Sequence, residues 1–278
     1  MNGEITNINP LIIIMILIIV MVYFYLQNRW IEVEHFDIKL ENLPVNFQNL
    51  KIAHISDVHI PKNVYGAEKL INVLKLEKPD FIVLTGDLIY KHNKIDEVQL
   101  GKLCLSLSEI TKTYAVTGNH EIWNNEVEWW IEILKSSNVE VLDNKVKVLK
   151  KNNSEVVIIG LKEGCIYSEE FLECKDLKCN VTKILLSHRP EKFDTHCSSP
   201  DCIRPDLILS GHAHGGQFRI PFINKAIYAP NQGVFPKYSS GHYISSNNVQ
   251  MVVSRGLSNS GFPIRINNRI HLPIIQIK

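Results

Sequence analysis

Short apolar runs alternate with amphipathic stretches along most of this chain. LKIAHIS (50–56), FIVLTGD (81–87) and TYAVTGN (113–119) are apolar until their ends. They predict strands buried on both faces. Between and after them, apolar positions recur at helical spacing over about 66–76, 96–110 and 124–137, with Pro79 closing the first helix. The second half is richer in strands: VEVLD, VKVLK, EVVIIGL, KILLSH, DLILSGH, MVVSRG and HLPIIQI. This pattern predicts a layered α/β domain, two packed sheets flanked by helices.

The N-terminus breaks the pattern. Leu11 to Leu26, LIIIMILIIVMVYFYL, carries no charge. Extended back to Ile8, the run reaches about 28 Å as a helix, close to the hydrocarbon thickness of a bilayer. Tyr23, Tyr25 and Trp30 cluster at its end, where amphipathic rings favour the membrane interface. A cleaved leader would need a basic start and a small-residue cleavage site; the first ten residues carry only Glu4, and LQNRW follows the run. The expectation is an uncleaved anchor over 1–28, a linker and first strand over 29–49, and the folded domain over 50–278. Arg29, the only basic side chain close to either end of the run, points to a cytoplasmic body at the cell membrane.

Composition narrows the classes. An apolar share of 45% over 278 residues supports a substantial core, and a formal net charge of +1 provides no field that would draw nucleic acid. Lys145, Lys147, Lys150 and Lys151 read as a solvated hairpin. Of six cysteines, four fall in two C-x4-C pairs, Cys174/Cys179 and Cys197/Cys202. Unconnected thiols, two local disulfides and a four-thiolate zinc site all remain open.

The chemistry gathers where strands stop. HISDVHI gives Asp57 and His59, LTGDL gives Asp87, and VTGNHE gives Asn119 and His120. LLSHRP gives His188, and LSGHAHGG gives His212 and His214. Alone, each is ordinary: an Asp caps a helix, an Asn forms a turn, and a His sits satisfied in a core. Together they put two carboxylates, an amide and five imidazoles at the edge where α/β sheets build sites. Left unpartnered beside a core, such groups would cost about 1–3 kcal/mol each. Metal ions would satisfy them. In an extended segment, residues i and i+2 face one side, so Asp57 with His59, and His212 with His214, are expected to present paired ligands, with Gly211, Gly215 and Gly216 turning the backbone.

The ordered set D-x-H, G-D, G-N-H-E, S-H and G-H-x-H resembles the calcineurin-like metallophosphoesterases. LSGHAHGGQFRIPF, SRGL and PIRINN are similar to a membrane-anchored bacterial branch of that family. That branch includes enzymes similar to UDP-2,3-diacylglucosamine pyrophosphatases and cell-wall-associated phosphodiesterases. The resemblance implies a four-layer αββα sandwich. It also implies one metal on Asp57, His59, Asp87 and His214 and a second on Asp87, Asn119, His188 and His212, with Asp87 bridging. His120 would face the leaving-group oxygen as general acid, with a metal-bridging hydroxide as nucleophile. Mixed N/O ligands suit Mn2+, Fe2+ or Zn2+ better than calcium. The expected activity is hydrolysis of a phosphodiester or pyrophosphate in a phosphorylated small molecule or lipid-linked substrate. A silent metal-binding scaffold at the membrane is the rival reading. Glu121 stands where many relatives carry Asp. Arg189, beside His188, is a candidate phosphate contact, and Arg255 a second. His54, His242 and His271 read as structural.

Overall fold

The computed structural model describes residues 9–61, 66–91, 94–165, 180–200, 202–259 and 261–278. Helix α1 (Pro10–Arg29) opens on an Asn9 cap whose side chain accepts the Leu11 N–H at 2.9 Å, with Pro10 in the first turn. It is long and apolar enough to cross a membrane by length and composition. Its side chains are exposed all round from Leu11 to Tyr23; toward its foot Phe24, Leu26 and Asn28 are half-buried and Gln27 is buried against the body.

Strand β1 (Glu32–Ile38) runs parallel to the C-terminal strand β16 (His271–Ile277), which in turn pairs antiparallel with β2 (Leu50–Ile55). Strands β3 (Phe81–Thr85), β4 (Lys112–Val116) and β5 (Val139–Val141) continue this sheet in parallel. The segment directly after α1 is therefore part of the sheet, and a body cut at residue 50 would expose β16.

The second sheet is built in the order β14 (Gly241–Ile244), β15 (Gln250–Val253), β9 (Leu207–Ser210), β8 (Thr182–Leu186), β7 (Ser154–Gly160) and β6 (Lys145–Lys151). Its central strands are parallel and its two edges antiparallel. The lysines of β6 lie on such an edge, where Lys147 reaches Glu140 at 2.8 Å and Lys150 reaches Glu155 at 3.2 Å.

Apolar layers make the stack. Ile52, Val83 and Val116 of the first sheet meet Ile158, Leu186 and Leu209 of the second. The outer face of the first sheet carries α2 (Ala67–Glu77), α3 (Glu97–Ser108) and α5 (Val127–Ser136) through Leu70, Leu74, Leu103, Trp130 and Leu134. A separate short helix, α4 (Asn119–Trp123), precedes α5, so the expected 124–137 helix begins three residues late. Among the described residues, the outer face of the second sheet is covered by the short α6 (Phe193–Cys197) and by irregular segments carrying Ala213, Ala229 and Tyr238.

Of the three described buried histidines outside the strand-end cluster, two bear most plainly on acid stability, while the third, His271, faces the Glu34 carboxylate. His54 faces Thr85 Oγ1 at 2.8 Å, and burial, helped by the His271 charge, pushes it down to about 3. His196 faces Ser187 Oγ at 3.4 Å, and burial, with Lys192, pushes it down to about 4. Unfolded, both titrate near 6.5. Below that pH the unfolded chain takes up protons the folded chain refuses. Stability is therefore full above about pH 7 and falls on acidification, by up to about 1.4 kcal/mol per pH unit for each group. Urea midpoints measured from pH 7.5 to 5 should fall, and His196→Gln should flatten the slope; an unchanged slope in that variant would contradict this origin.

Candidate metal centre

The C-terminal ends of β2, β3, β4, β8 and β9 converge, and each delivers residues to one buried cluster. The donor atoms of Asp57, His59, Asp87 and His214 lie within 4.8 Å of one another, as do those of Asp87, His188 and His212. Asp87 belongs to both groups. Its Oδ2 is 3.3 Å from His188 Nε2, 3.8 Å from His120 Nε2 and 4.0 Å from His59 Nε2. His214 Nε2 lies 3.3 Å from Asp57 Oδ1 and 3.4 Å from His59 Nε2. Asn119 Oδ1 lies 3.2 Å from His188 Nε2. Every strand-end residue anticipated from sequence, His120 included, is in this cluster.

The backbone that brings them together is not extended. Asp57, His59, Asp87, His212 and His214 all have left-handed backbones, with φ between 48° and 64°. The expected alternation of i and i+2 on an extended strand is therefore wrong. The strands stop at Ile55 and Ser210, and the chain then curls. Non-glycine residues held this way carry strain that surrounding contacts must repay. Here Asp57 accepts the His212 N–H at 3.1 Å, and Asp87 Oδ1 accepts the His120 N–H at 2.8 Å. Gly211 lies so close that a Cβ would collide with Ser56 Oγ and Asp57 Oδ2. Gly86, at φ 92°, would drive a Cβ to 2.6 Å from the Gly118 backbone.

Hydrogen-bond partners assign the imidazole tautomers. His188 Nδ1 donates to Thr85 O at 2.7 Å and His214 Nδ1 to Ser258 O at 3.3 Å, which aims both Nε2 atoms at the carboxylates. His120 is reversed. Its Nδ1 accepts the Lys91 N–H at 3.0 Å, so Nε2 carries the proton and points at Asp87. The rings of Tyr90 and Trp123 flank His120, with centroids 5.0 and 5.8 Å away. Burial pushes His59 and His214 down to about 3, so both are neutral donors at ordinary pH. Burial raises Asp57, whereas for Asp87 burial is outweighed by the opposing charge and hydrogen bond of His188, which hold it well below the carboxylate range. Two carboxylates and four imidazoles gathered with no lysine or arginine among them are a donor set that divalent cations fit. Against burial, Asp87 raises His188 to about 10, so its imidazolium stands where such a cation would. His59 Nδ1 and His212 Nε2, buried with no protein partner, leave those rings anchored on one side only.

Glu121 holds the frame. Its carboxylate accepts the N–H groups of Asp87 (2.8 Å), Leu88 (2.8 Å), Ile89 (3.1 Å) and Gly118 (2.8 Å). It thereby ties the G-D loop to the G-N-H loop. Burial, together with the Asp87 charge, raises it to about 7 against the pull of those N–H groups. Glu121→Ala leaves all four buried donors unpartnered. It is expected to cost about 3 kcal/mol or more, read as a shift in the denaturation midpoint; a loss below 1 kcal/mol would show that the loops hold without it.

The arginines anticipated from sequence are engaged elsewhere. Arg189 pairs with Glu163 and lies 3.5 Å from Glu191. Arg255 pairs with Glu32 at 3.1 Å and Glu34 at 3.5 Å. His54, His242 and His271 bond Thr85, Gln250 and Glu34, away from the metal donors. Three supporting residues were not anticipated. Asn268 Nδ2 donates to His214 O at 2.8 Å. Fully buried Arg265 donates to Arg255 O at 2.8 Å and also to Ser258 O, the carbonyl that orients His214. Tyr90 packs on both His59 and His120. The only sequence signal was the stretch PIRINN, which the resemblance brought to notice without assigning a role.

The cysteines depart from all three open readings. Cys202 is disulfide-bonded while Cys104, Cys165 and Cys197 are free. A local Cys197–Cys202 bridge is therefore excluded, as are a set of wholly unconnected thiols and a zinc site on all four thiolates. Cys174 and Cys179 lie outside the described residues.

The family model for calcineurin-like phosphoesterases matches residues 50–216. Uncharacterized metallophosphoesterase Cj0846 of Campylobacter jejuni is 28% identical over 276 residues, covering 95% of this chain and 68% of its own length. Phosphodiesterase YaeI of Escherichia coli is 23% identical over 264 residues, covering 91% and 90%. The chain spans about half the length of two animal relatives that it also matches, 48% and 56%. Among solved structures, a 5'-nucleotidase precursor from Thermus thermophilus superposes with a TM-score of 0.50 at 15% identity, over 75% of this chain and 49% of its own, a likeness of fold. The match spans the strand-end motifs and the carboxylate–imidazole cluster they form, and this chain belongs to the calcineurin-like phosphoesterase family.

Proposed function

We propose that this chain is a membrane-anchored, metal-dependent phosphoester hydrolase acting on a phosphodiester or pyrophosphate. The observation that carries the reading is the reversed tautomer of His120 beside a donor set fit for two cations. Asp57, His59, Asp87 and His214 would hold one ion, and Asp87, Asn119, His188 and His212 the other. Bound there, two divalent ions supply charge that acidifies water and offsets the phosphoryl oxygens. With Nδ1 taken by the Lys91 N–H and the ring kept neutral by burial, His120 offers its Nε2–H to the departing oxygen as a hydrogen-bond donor that steadies the developing charge, in place of the general acid expected from sequence, and Tyr90 and Trp123 hold the ring there. A silent scaffold has no use for such a proton. The name phosphodiesterase borne by the E. coli relative supports the diester class. Arg189, held by Glu163, is a lesser candidate for contact with substrate.

Helix α1 supports the anchor. An apolar helix exposed on every side is stable only in lipid or against a partner. The Cys202 disulfide favours a body in an oxidising compartment over the cytoplasmic side to which Arg29 alone points. Protease added to intact cells would then digest the body; protection until lysis would reverse that sidedness.

The substrate class is tested on the full chain in micelles with Mn2+, using bis-p-nitrophenyl phosphate, p-nitrophenyl phosphate and a UDP-linked sugar lipid. Cleavage of a diester or pyrophosphate supports the proposal. Preference for the monoester would change the class, and silence on all three with metal bound would overturn it.

A further inference from the structure

Beyond α1, three turns carry exposed apolar side chains side by side. Phe222 and Ile223 form the tip of a hairpin between β10 (Arg219–Ile220) and β11 (Lys225–Ala226). Val234 and Phe235 end the next hairpin, β12 (Tyr228–Ala229) with β13 (Gly233–Val234). Phe262 projects from the loop that precedes Arg265.

These turns are knit into one rim. The Phe235 N–H donates to Ile227 O at 2.8 Å, and the Ile227 N–H to Phe218 O at 2.9 Å. The Phe218 ring lies 5.7 Å from Phe262, and the Lys225 ammonium 4.7 Å above Phe235. The rim is also rigidly joined to the metal centre. Gln217 donates to Phe262 O at 3.0 Å and Ile264 O at 2.8 Å, and Arg219 to Gly215 O at 2.8 Å.

Two features of the rim are costly for a body in water. Phe222 is fully exposed at φ 67°, and Phe235 is half exposed at φ 55°. Bulky side chains rarely adopt that backbone, and adjoining exposed apolar groups mark a surface that something covers. The foot of α1 shows what covers it. Tyr23 Oη accepts the Asn267 N–H at 2.7 Å, Gln27 Oε1 the Asn268 N–H at 2.9 Å, and Asn28 Oδ1 accepts from Asn259 Nδ2 at 2.7 Å. The helix thus leaves its apolar environment against the same 259–268 segment that carries Phe262. Rim and helix end form one continuous surface.

We propose that this rim inserts into the interfacial layer of the bilayer that α1 crosses, holding the metal centre beside the lipid surface. The inference rests on α1 being a membrane span. Aromatic and aliphatic tips flanked by Lys225 and Arg269 are the side chains that partition to such an interface.

The test uses the full chain in phosphatidylethanolamine/phosphatidylglycerol vesicles, with and without brominated acyl chains, and compares the parent with Phe222→Trp and Phe262→Trp. In the parent, brominated lipid should quench Trp30 at the foot of α1. The emission added by each substitution should be blue-shifted and largely lost to brominated lipid. Added emission that stays water-like and unquenched in both variants, with the parent still quenched, would overturn the docking and leave the anchor standing. A parent that is itself unquenched would remove the anchor and the docking together.

Discussion

Replacing His120 with alanine is expected to lower hydrolysis by about 10²–10³-fold while leaving the bound metal unchanged. The separation is possible because His120 contributes to the site in two ways. Its backbone N–H donates to Asp87 Oδ1 at 2.8 Å, and alanine keeps that bond. Its side chain is anchored by the Lys91 N–H, away from the metal donors, and turns a protonated Nε2 toward the cluster. The variant therefore removes a hydrogen-bond donor without loosening a metal ligand. Loss should be greatest for an alkoxide leaving group, whose developing charge is concentrated on the oxygen that the Nε2–H meets, and smallest for p-nitrophenolate, whose charge is spread over the ring. Rates on both kinds of diester, with metal counted by mass spectrometry, check this. Equal losses on both, or metal lost together with activity, would place His120 among the structural residues.

Asp87→Asn should do the opposite and act through the metals. Asp87 is the one carboxylate common to both donor groups, and its Oδ2 faces His59, His120 and His188. The amide keeps an acceptor for the His120 N–H but removes the shared charge. Metal content should fall below two ions per chain. Hydrolysis should fall by about 10³-fold, the several kcal/mol of transition-state stabilisation that such an ion supplies. A variant that retained both ions and near-normal rates would mean that the two groups do not share a ligand.

Much of this was legible in the sequence, for a physical reason. Buried parallel strands such as FIVLT read as continuous apolar runs, and a polar residue at the end of such a run is conspicuous. Asp57, Asp87, Asn119, His188 and His214 were all visible in that way. What was not legible depends on backbone shape or on distant partners. Asp and His adopt a left-handed backbone more readily than most residue types, but the type does not say which copies do, so the extended-strand account of the D-x-H and H-x-H pairs was mistaken. Arg265 and Asn268 act on His214 from some fifty residues away in the chain, through one carbonyl each. Glu121 looked like a variation next to the proton donor, and only the folded loops reveal four N–H groups converging on it. The Cys202 disulfide shows the same limit, since spacing left unconnected thiols, local pairs and a zinc site open, and Cys202 is bonded while Cys197 is free.

The central claim is that the two donor groups fill with divalent ions and that filling creates a hydrolase. The direct measurement starts from metal-stripped full-length protein in micelles. Mn2+ is titrated in while bound metal per chain and the rate on bis-p-nitrophenyl phosphate are followed together. The account predicts binding that saturates at two ions per chain and hydrolysis that appears as the second position fills. Saturation at two ions with no hydrolysis of any phosphoester, or hydrolysis that persists in the stripped protein, would contradict it.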